Sequence, residues 1–378
     1  MKKELQIIDL FSGVGGLSLG AARAGFKVAG SIELDKHASD SHQYNFPNTS
    51  HINDDILSYN GDSLLEKFDI EEVAGIIGGP PCQGFSNIGS GDVNDPRNKL
   101  FVYFFQLVSE IKPTFFVAEN VPGILNPKYD LLRNEAFSKI SDYEIMEPLA
   151  VSATDFGAPT IRKRIFFIGY KKEKRMSLKR TDFESQFMPN DKAIRIADAF
   201  SGLQDDLTKV DTTLKNTSCV SITKKKKEKY PYFFSRVEGN IPKGVGGKNL
   251  DIYNKKKVVS GFNKTTHTPS VAKRFSSLLP GEQDKISKCV KLNPKGFSPT
   301  LRAGTGSDKG SYQAVRPIHY NRGRVITPRE AARIQGFPDW FEFDKTIWHS
   351  FRQIGNSVSP LVAEGILSCV YQKLTSLK

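Results

Sequence analysis

Cys82 sits in the segment Gly75-Ile-Ile-Gly-Gly-Pro-Pro-Cys-Gln-Gly-Phe-Ser-Asn87, and its surroundings suit a thiol that reacts. An apolar run ends in two glycines, which lack a side chain and let a backbone come close to another group. Pro80 and Pro81 then fix φ at two successive positions, so the chain is stiff where Cys82 begins. A thiol on a rigid loop just past a strand end is where an open α/β enzyme places a nucleophile. A cysteine taken alone reads more simply as a small core residue. The flanking Gly-Gly-Pro-Pro favours the nucleophile.

A second loop carries ligand-binding character. Asp9-Leu-Phe-Ser-Gly-Val-Gly-Gly16 follows a short apolar run and opens a helix, which lets a ligand approach the backbone at a helix N-terminus. Glu33 comes seventeen residues after Gly16, at the end of a second apolar run, where a carboxylate can bind two ribose hydroxyls. Asp54-Asp55-Ile56 is expected to end a third strand and to contact an adenine edge. Nicotinamide cofactors, flavins and S-adenosylmethionine (AdoMet) all use such glycine turns. The loop has no basic residue to hold a pyrophosphate, which leans away from a dinucleotide.

The elements that must position these loops read as a parallel sheet with crossover helices over the first ~170 residues. Gln6–Leu10 and Phe26–Ile32 read as strands, Leu17–Ala24 and Leu100–Ile111 as helices. Thr114–Ala118 reads as a strand ending at Glu119, and Arg164–Tyr170 as a strand after an arginine-rich loop. Residues 207–265 are rich in Lys, Gly, Asn and Thr and read as loops and short strands. Thr327–Gln335 reads as a helix, with Thr327 as cap, Pro328 at its first position and Glu330 three residues after the cap. From Gln353 the chain reads as a loop and then an apolar helix. The chain has 378 residues and is 38% hydrophobic and 25% charged, values of a globular protein with room for two domains. No apolar run approaches the ~20 residues of a membrane helix. Cys82, Cys219, Cys289 and Cys369 are far apart, with neither CxxC spacing nor a disulfide framework, so a reducing compartment is expected and no metal site. The net charge is +13, and it is unevenly placed. Residues 171–300 hold 28 Lys and Arg against 13 Asp and Glu, leaving 26 against 28 elsewhere. A near-neutral body with a basic central block suggests a polyanionic partner, nucleic acid first. The run Lys224–Lys229 beside Tyr230, Tyr232, Phe233 and Phe234 points the same way.

Taken together, the motifs resemble those of the DNA (cytosine-5)-methyltransferase family, of the bacterial restriction–modification type. Asp9-Leu-Phe-Ser-Gly-Val-Gly-Gly is similar to its AdoMet loop and Gly79-Pro-Pro-Cys-Gln-Gly-Phe-Ser to its nucleophile loop. Asp95-Pro-Arg-Asn-Lys-Leu resembles the segment behind the cofactor, Glu119-Asn-Val the catalytic glutamate, and Arg162-Lys-Arg-Ile the arginine pair. Arg329-Glu-Ala-Ala-Arg-Ile-Gln-Gly-Phe-Pro resembles the late helix, and Gln353-Ile-Gly-Asn-Ser-Val the segment that returns to the cofactor. The motifs run in the family's order over roughly the first 170 and last 60 residues. The basic block falls on the variable target-recognition region, with Thr300-Leu301 as its short motif. One position departs: Thr160 stands where the family usually has glutamine, which leaves a base or backbone contact open.

The resemblance implies a Rossmann-like α/β fold with a mostly parallel sheet and helices on both faces. Residues 1–180 and 350–378 would form the AdoMet-binding catalytic domain, and 181–349 a smaller, irregular, β-containing target-recognition domain. It implies methyl transfer from AdoMet to C5 of a flipped cytosine, with Cys82 adding at C6, Glu119 donating to N3, and Arg162 and Arg164 holding the base, a phosphate or Glu119. Phe11, Gly13, Glu33, Asp55, Ile56, Pro80, Leu100, Asn356 and Ser357 are the expected cofactor residues. Gln83, Ser86, Arg97, Thr300 and Arg302 are the expected DNA contacts, with Arg274 and Asn263 as further candidate readers. Double-stranded DNA as partner, a paired restriction endonuclease, a monomer and a bacterial cytoplasmic location acting at the nucleoid follow as expectations. Three other readings compete. An RNA cytosine-5 methyltransferase would resemble Pro-Pro-Cys-Gln-Pro-Phe at the nucleophile, where this chain has Gly84. A non-catalytic DNA-binding subunit would not need Cys82, Glu119 and both arginines. A Rossmann oxidoreductase would explain neither the Pro-Pro-Cys nor the basic block.

Overall fold

In the computed structural model, which describes residues 4–81, 95–174, 176–189, 192–213, 216–303 and 316–376, the chain builds a mixed α/β fold on one main sheet. Its elements begin β1 (Gln6–Leu10), α1 (Gly16–Ala24), β2 (Lys27–Ile32), α2 (Lys36–Asn45), β3 (Ser50–Ile52), α3 (Gly61–Phe68) and β4 (Gly75–Gly78). They continue with α4 (Lys99–Ile111), β5 (Phe115–Asn120), α5 (Asp130–Ser138), β6 (Tyr143–Ile145), β7 (Leu149–Ser152) and β8 (Lys163–Lys171). The strand order is β3-β2-β1-β4-β5-β8-β6, with β7 also paired to β8. Strands β1 to β5 are parallel, and β8 runs antiparallel to β5 with Glu119 opposite Phe166.

Parallel strands bury both faces, so they read as unbroken apolar runs rather than alternating ones. In β5, Phe115, Phe116, Val117 and Ala118 are all fully buried, at about 1.5–3 kcal/mol for each large side chain. One face packs on α3, α4 and α5. The other packs on α1 and on the C-terminal helix α14 (below), with which α1 makes an extensive contact. The strands end on the same side, and the loops after β1, β2, β4 and β5 therefore gather there, as an open α/β sheet requires.

After β8 come α6 (Arg180–Glu184), α7 (Ile196–Ala199), β9 (Ser218–Cys219), α8 (Lys224–Lys229), α9 (Pro231–Glu238), α10 (Leu250–Lys256), β10 (Val258–Val259) and α11 (Pro269–Ser277). The chain closes with α12 (Pro328–Ile334), α13 (Ile347–Asn356) and α14 (Pro360–Ser376). Over 207–265 the expected loops and short strands (β9, β10) are present, and α8, α9 and α10, which were not expected, occupy about a third of the segment. Helix α9 buries Phe233, Phe234 and Val237, and Tyr230 is buried as its N-terminal neighbour. These aromatics are core, not a stacking platform beside the lysines. Within the lysine run, Lys226 pairs with Asp198 and Lys227 with Glu238.

Two other boundaries differ from expectation. Strand β3 stops at Ile52, before Asp54. Asn53 Nδ2 donates to the Glu33 and Leu34 carbonyls, Asp54 Oδ1 accepts from the Asp55 amide, and Asp55 Oδ1 accepts from Leu57 N at 3.0 Å. Such short polar side chains replace ladder bonds with local turns. Gln353 lies inside α13, not in a loop. Its amide donates to the His37 carbonyl and Ser41 Oγ and accepts from Asp344 N, which ties α13 to α2.

Helix α12 starts with the expected capping box: Thr327 N donates to Glu330 Oε2 at 2.7 Å and Glu330 N to Thr327 Oγ1 at 3.3 Å. Its two arginines are fully buried. Arg329 donates to the carbonyls of Ser260, Pro338 and Phe341, and Arg333 pairs with Asp339 at 2.7 and 2.6 Å while donating to the Ala199 and Ser201 carbonyls. They hold distant segments around the helix. Among the described residues no helix is long and apolar enough to cross a membrane.

Candidate active site

The cofactor side is built where β1 and β2 end. Phe11 and Gly13 have φ of 60° and 54°, and Gly15 has φ of 100°, so the loop turns sharply before α1. Glu33 follows β2. Its Oε2 accepts from Gly13 N and its Oε1 from Asp35 N, both at 2.8 Å. Burial pushes its pKa up, and the two amide hydrogen bonds oppose that rise. The carboxylate is thereby fixed at the strand end with lone pairs left to accept, an acceptor pair that fits ribose hydroxyls. Arg352 lies beside this carboxylate and pairs with Asp35 at 2.9 Å. Asp55 caps the turn Ile56–Ser58, and Ile56 is buried. Phe11 and Leu100 are partly buried against the α3–α4 core.

The C-terminal segment closes this side. Asn356, at the end of α13, is exposed, and Ser357 is nearly buried with its Oγ donating to the Val358 carbonyl at 3.1 Å. Gly16 lies directly under it: a Cβ there would stand 2.1 Å from Ser357 Oγ and 2.2 Å from the Val358 carbonyl oxygen. Only glycine allows this approach.

The second side gathers at the ends of β4 and β5. Glu119 is nearly buried, and its Oε1 lies 2.6 Å from Arg164 Nε. A Cβ at Gly79 would stand 3.0 Å from Glu119 Oε2, so the glycine lets the post-β4 loop lie against the carboxylate. Asn120 Nδ2 reaches the Pro80 carbonyl at 3.4 Å and its Oδ1 accepts from Val121 N, which fastens the same loop. The two arginines have different surroundings. Arg164 meets Glu119, whereas Arg162 is buried and donates to the carbonyls of Leu301 at 3.3 Å and Asn356 at 3.5 Å. Arg162 thus joins the Thr300-Leu301 segment to the cofactor segment. Thr160 is fully buried, and its hydroxyl donates to the Pro299 carbonyl at 3.5 Å, while Ile161 N donates to Ser298 O. Thr160 therefore makes a backbone contact.

Cys82, Gln83 and Ser86 lie outside the described residues. Of the other expected DNA contacts, Thr300 is half-buried and Arg302 exposed. Arg97 is held by Asp95, Nε to Oδ1 at 2.8 Å. Arg274 pairs with Asp284 at 2.8 Å and Asn263 donates to the Lys345 carbonyl. Among the described residues no group of three His, Cys, Asp or Glu is placed to hold a metal. Sequence reading missed the polar chain under the cofactor loop, Asp9 to Ser18 to His42 to His51. Its members come from four separate elements, so no spacing announces it.

Comparison with known proteins agrees with this arrangement. A family model described as C-5 cytosine-specific DNA methylase matches residues 5–372. The type II methyltransferase M.XorII of Xanthomonas oryzae pv. oryzae is 34% identical over 382 residues, covering 95% of this chain and 82% of that one. The type II methyltransferase M.DdeI of Desulfomicrobium norvegicum is 31% identical, covering 96% and 87%. A crystal structure described as a DNA modification methyltransferase encoded within a prophage (E. coli) has 45% identity and a TM-score of 0.86, covering 98% of this chain and 100% of that one. The S. pombe Dnmt2 methyltransferase, at 16% identity and a TM-score of 0.60, shares the fold. With a mostly parallel sheet, a glycine loop, and a glutamate and arginine paired beside Gly79, this chain belongs to the C-5 cytosine-specific DNA methylase family and is a DNA cytosine-5 methyltransferase.

Proposed function

We propose that the enzyme methylates one cytosine within a specific duplex DNA sequence, taking the methyl group from AdoMet after turning the base out of the stack. The observation that carries this reading is the Glu119–Arg164 pair at 2.6 Å, set against the Gly79–Pro80 loop that leads directly to Cys82. C5 of cytosine is a poor nucleophile. Addition of the Cys82 thiolate at C6 makes C5 enamine-like, with the ring's new negative charge met at N3 by a proton from Glu119. For Glu119 to face the base, its contact with Arg164 opens, and Arg164 turns to the base's O2 or a phosphate. The Pro80 carbonyl accepts from the cytosine amino group, which favours cytosine over thymine. AdoMet supplies the methyl group when bound, and Glu33, with Phe11, Gly13, Asp55, Ile56, Leu100, Asn356 and Ser357, would hold it. Loss of the C5 proton and elimination of Cys82 then release the product. Arg162 acts in this scheme as a positioning residue, because its guanidinium is spent on the Leu301 and Asn356 carbonyls.

A buried target atom requires base flipping, at a cost of a few kcal/mol of unstacking. The basic central block would grip phosphates. Lys264 and Lys273 line an open cleft of about 420 Å³ beside α11, where Arg322 is paired with Asp205 at 2.7 Å. Residues 181–349 would serve as the target-recognition domain, carrying Thr300 and Arg302, while Gln83, Ser86 and Arg97 would contact DNA from the catalytic side. The type II names of M.XorII and M.DdeI support a place in a restriction–modification system with a paired endonuclease. The enzyme would act as a monomer on the DNA of a bacterial cytoplasm. The test is bisulfite sequencing of DNA from a host lacking cytosine methylation that expresses this chain or its Cys82→Ala variant. Protected cytosines in one short context, absent with the variant, are expected. No protection in either sample, with folded protein present, would overturn the DNA reading.

A further inference from the structure

The polar chain beneath the cofactor loop takes no part in the chemistry above. Asp9, at the end of β1, is fully buried, and so are Ser18 of α1 and His42 of α2, while His51 of β3 is half-buried. Ser18 Oγ lies 2.6 Å from Asp9 Oδ2 and 3.0 Å from His42 Nε2, and His42 Nδ1 lies 2.8 Å from His51 Nε2. His51 also hydrogen-bonds the Thr49 backbone. The Thr49 amide is already given to the Phe46 carbonyl, so the Thr49 carbonyl accepts and His51 Nδ1 donates. The remaining Asp9 oxygen, Oδ1, has no hydrogen-bond partner among the described residues. A buried carboxylate with an unpartnered oxygen is costly, and a proton relieves it.

The hydrogens in this chain can lie in two ways. In one, Asp9 is protonated and every bond points outward: Asp9 to Ser18, Ser18 to His42 Nε2, His42 Nδ1 to His51 Nε2, and His51 Nδ1 to Thr49. In the other, Asp9 is ionised and accepts from Ser18, which accepts from His42 Nε2–H. His42 Nδ1 then accepts from His51 Nε2–H, and His51, keeping its hydrogen on Thr49, is an imidazolium. Three proton transfers connect the two, and no atom is gained or lost. We propose that Asp9 and His51 share one proton through Ser18 and His42, so that a half-buried histidine sets the charge directly beneath the cofactor loop. The link to the cofactor rests on the AdoMet reading: a bound sulfonium cation would favour ionised Asp9, with the proton held at His51.

Without cofactor, burial at both ends favours the proton on Asp9. Burial pushes Asp9 up to about 7, the Ser18 hydrogen bond opposes this, and Glu33 is the other charged group that raises it. Burial lowers His51, with the Thr49 carbonyl opposing, and burial keeps His42 neutral. A fixed structural tie would have one orientation only, so the two accounts separate on the tautomer of His42.

The experiment is ¹⁵N NMR of histidine-labelled protein between pH 5.5 and 8.5, first without cofactor. Exchange between the two arrangements is itself independent of pH, but loss of the shared proton to solvent as pH rises through about 7 leaves Asp9 ionised, so His42 is expected to pass from Nδ1–H to Nε2–H. Ser18→Ala, checked for an unchanged melting curve, abolishes the change, and Ser18→Thr, which keeps a hydroxyl, restores it. At pH 6.5, AdoMet should drive His42 to the Nε2–H form more than S-adenosylhomocysteine, which lacks the sulfonium. AdoMet affinity by calorimetry should rise roughly fivefold from pH 6 to 8 in the parent and stay level in Ser18→Ala. One tautomer at all pH values, or a change that survives Ser18→Ala, would overturn the relay. Absence of any AdoMet binding heat would instead defeat the cofactor reading and leave the pH experiment standing.

Discussion

Gly16→Ala separates a packing account of the cofactor site from a purely local one. Gly16 opens α1, and its φ is not in the left-handed region, so alanine fits the backbone. Judged by helix propensity alone, the change should stabilise the protein by up to about 1 kcal/mol. The structure predicts the opposite sign. The new Cβ would stand 2.1 Å from Ser357 Oγ and 2.2 Å from the Val358 carbonyl oxygen. The hydroxyl could rotate away, but the carbonyl belongs to the backbone between α13 and α14. Restoring contact distance requires the loop and this segment to part by roughly 1 Å, at a typical overpacking cost of about 1–3 kcal/mol. If half or more of that cost falls on the cofactor-binding geometry, AdoMet affinity drops by about three- to thirtyfold, since about 1.4 kcal/mol is a factor of ten. Calorimetry with AdoMet and urea unfolding would read both effects. Adding Ser357→Gly removes the hydroxyl clash but not the carbonyl one, so the double variant should recover only a small part. Wild-type affinity together with raised stability in Gly16→Ala would refute the close approach and the closing role given to Ser357–Val358.

Other consequences follow from buried charges. Arg333→Met leaves the fully buried Asp339 unpaired and should cost about 3–5 kcal/mol in urea unfolding, whereas a double variant with Asp339→Leu should cost much less than the sum of the singles. Asp284 gives a pH signature. Burial alone would raise it, but hydrogen bonds from Ser287 and the Arg274 pair hold it down at about 2. A lowered carboxyl stabilises above the unfolded value of about 3.9, and that contribution disappears as pH falls toward 2. Asp284→Asn should therefore lose about 2 kcal/mol at pH 7 and nothing further near pH 2. Arg164→Ala should lower methyl incorporation by about a hundredfold or more, and Arg164→Lys should recover only part of it, because lysine lacks the planar fork. Raising salt from 50 to 200 mM should weaken DNA binding steeply, by about a thousandfold for six phosphate contacts, and an unchanged affinity would contradict the electrostatic grip.

The first strand, the glycine loop and Glu33 were legible because each depends on local pattern: an apolar run, a turn that needs positive φ, and a carboxylate at the next strand end. The cap at Thr327 was legible for the same reason. The pairing of Glu119 with Arg164 was not a local matter. It depends on β5 and β8 lying antiparallel, and only the resemblance anticipated it. The reading of 207–265 anticipated the loops and the short strands β9 and β10 but missed α8 to α10, because α8 buries none of its residues and α9 and α10 are only eight and seven residues long. Phe233, Phe234 and Val237 show their purpose only against the core they join. Arg162 looked like a partner of Arg164 in sequence, yet it is buried on two backbone carbonyls that come from residues 301 and 356. The chain from Asp9 to His51 joins β1, α1, α2 and β3, and no single stretch carries it.

The most direct test of the mechanism is a covalent one. A duplex bearing 5-fluorocytosine at the methylated position cannot lose a C5 proton, so the thiol adduct should persist. Incubation with AdoMet, digestion and mass spectrometry should recover a peptide carrying the methylated fluorocytosine nucleotide on Cys82, with none formed by Cys82→Ala. Methylated product DNA with no adduct at Cys82, or an adduct on another residue, would contradict the account.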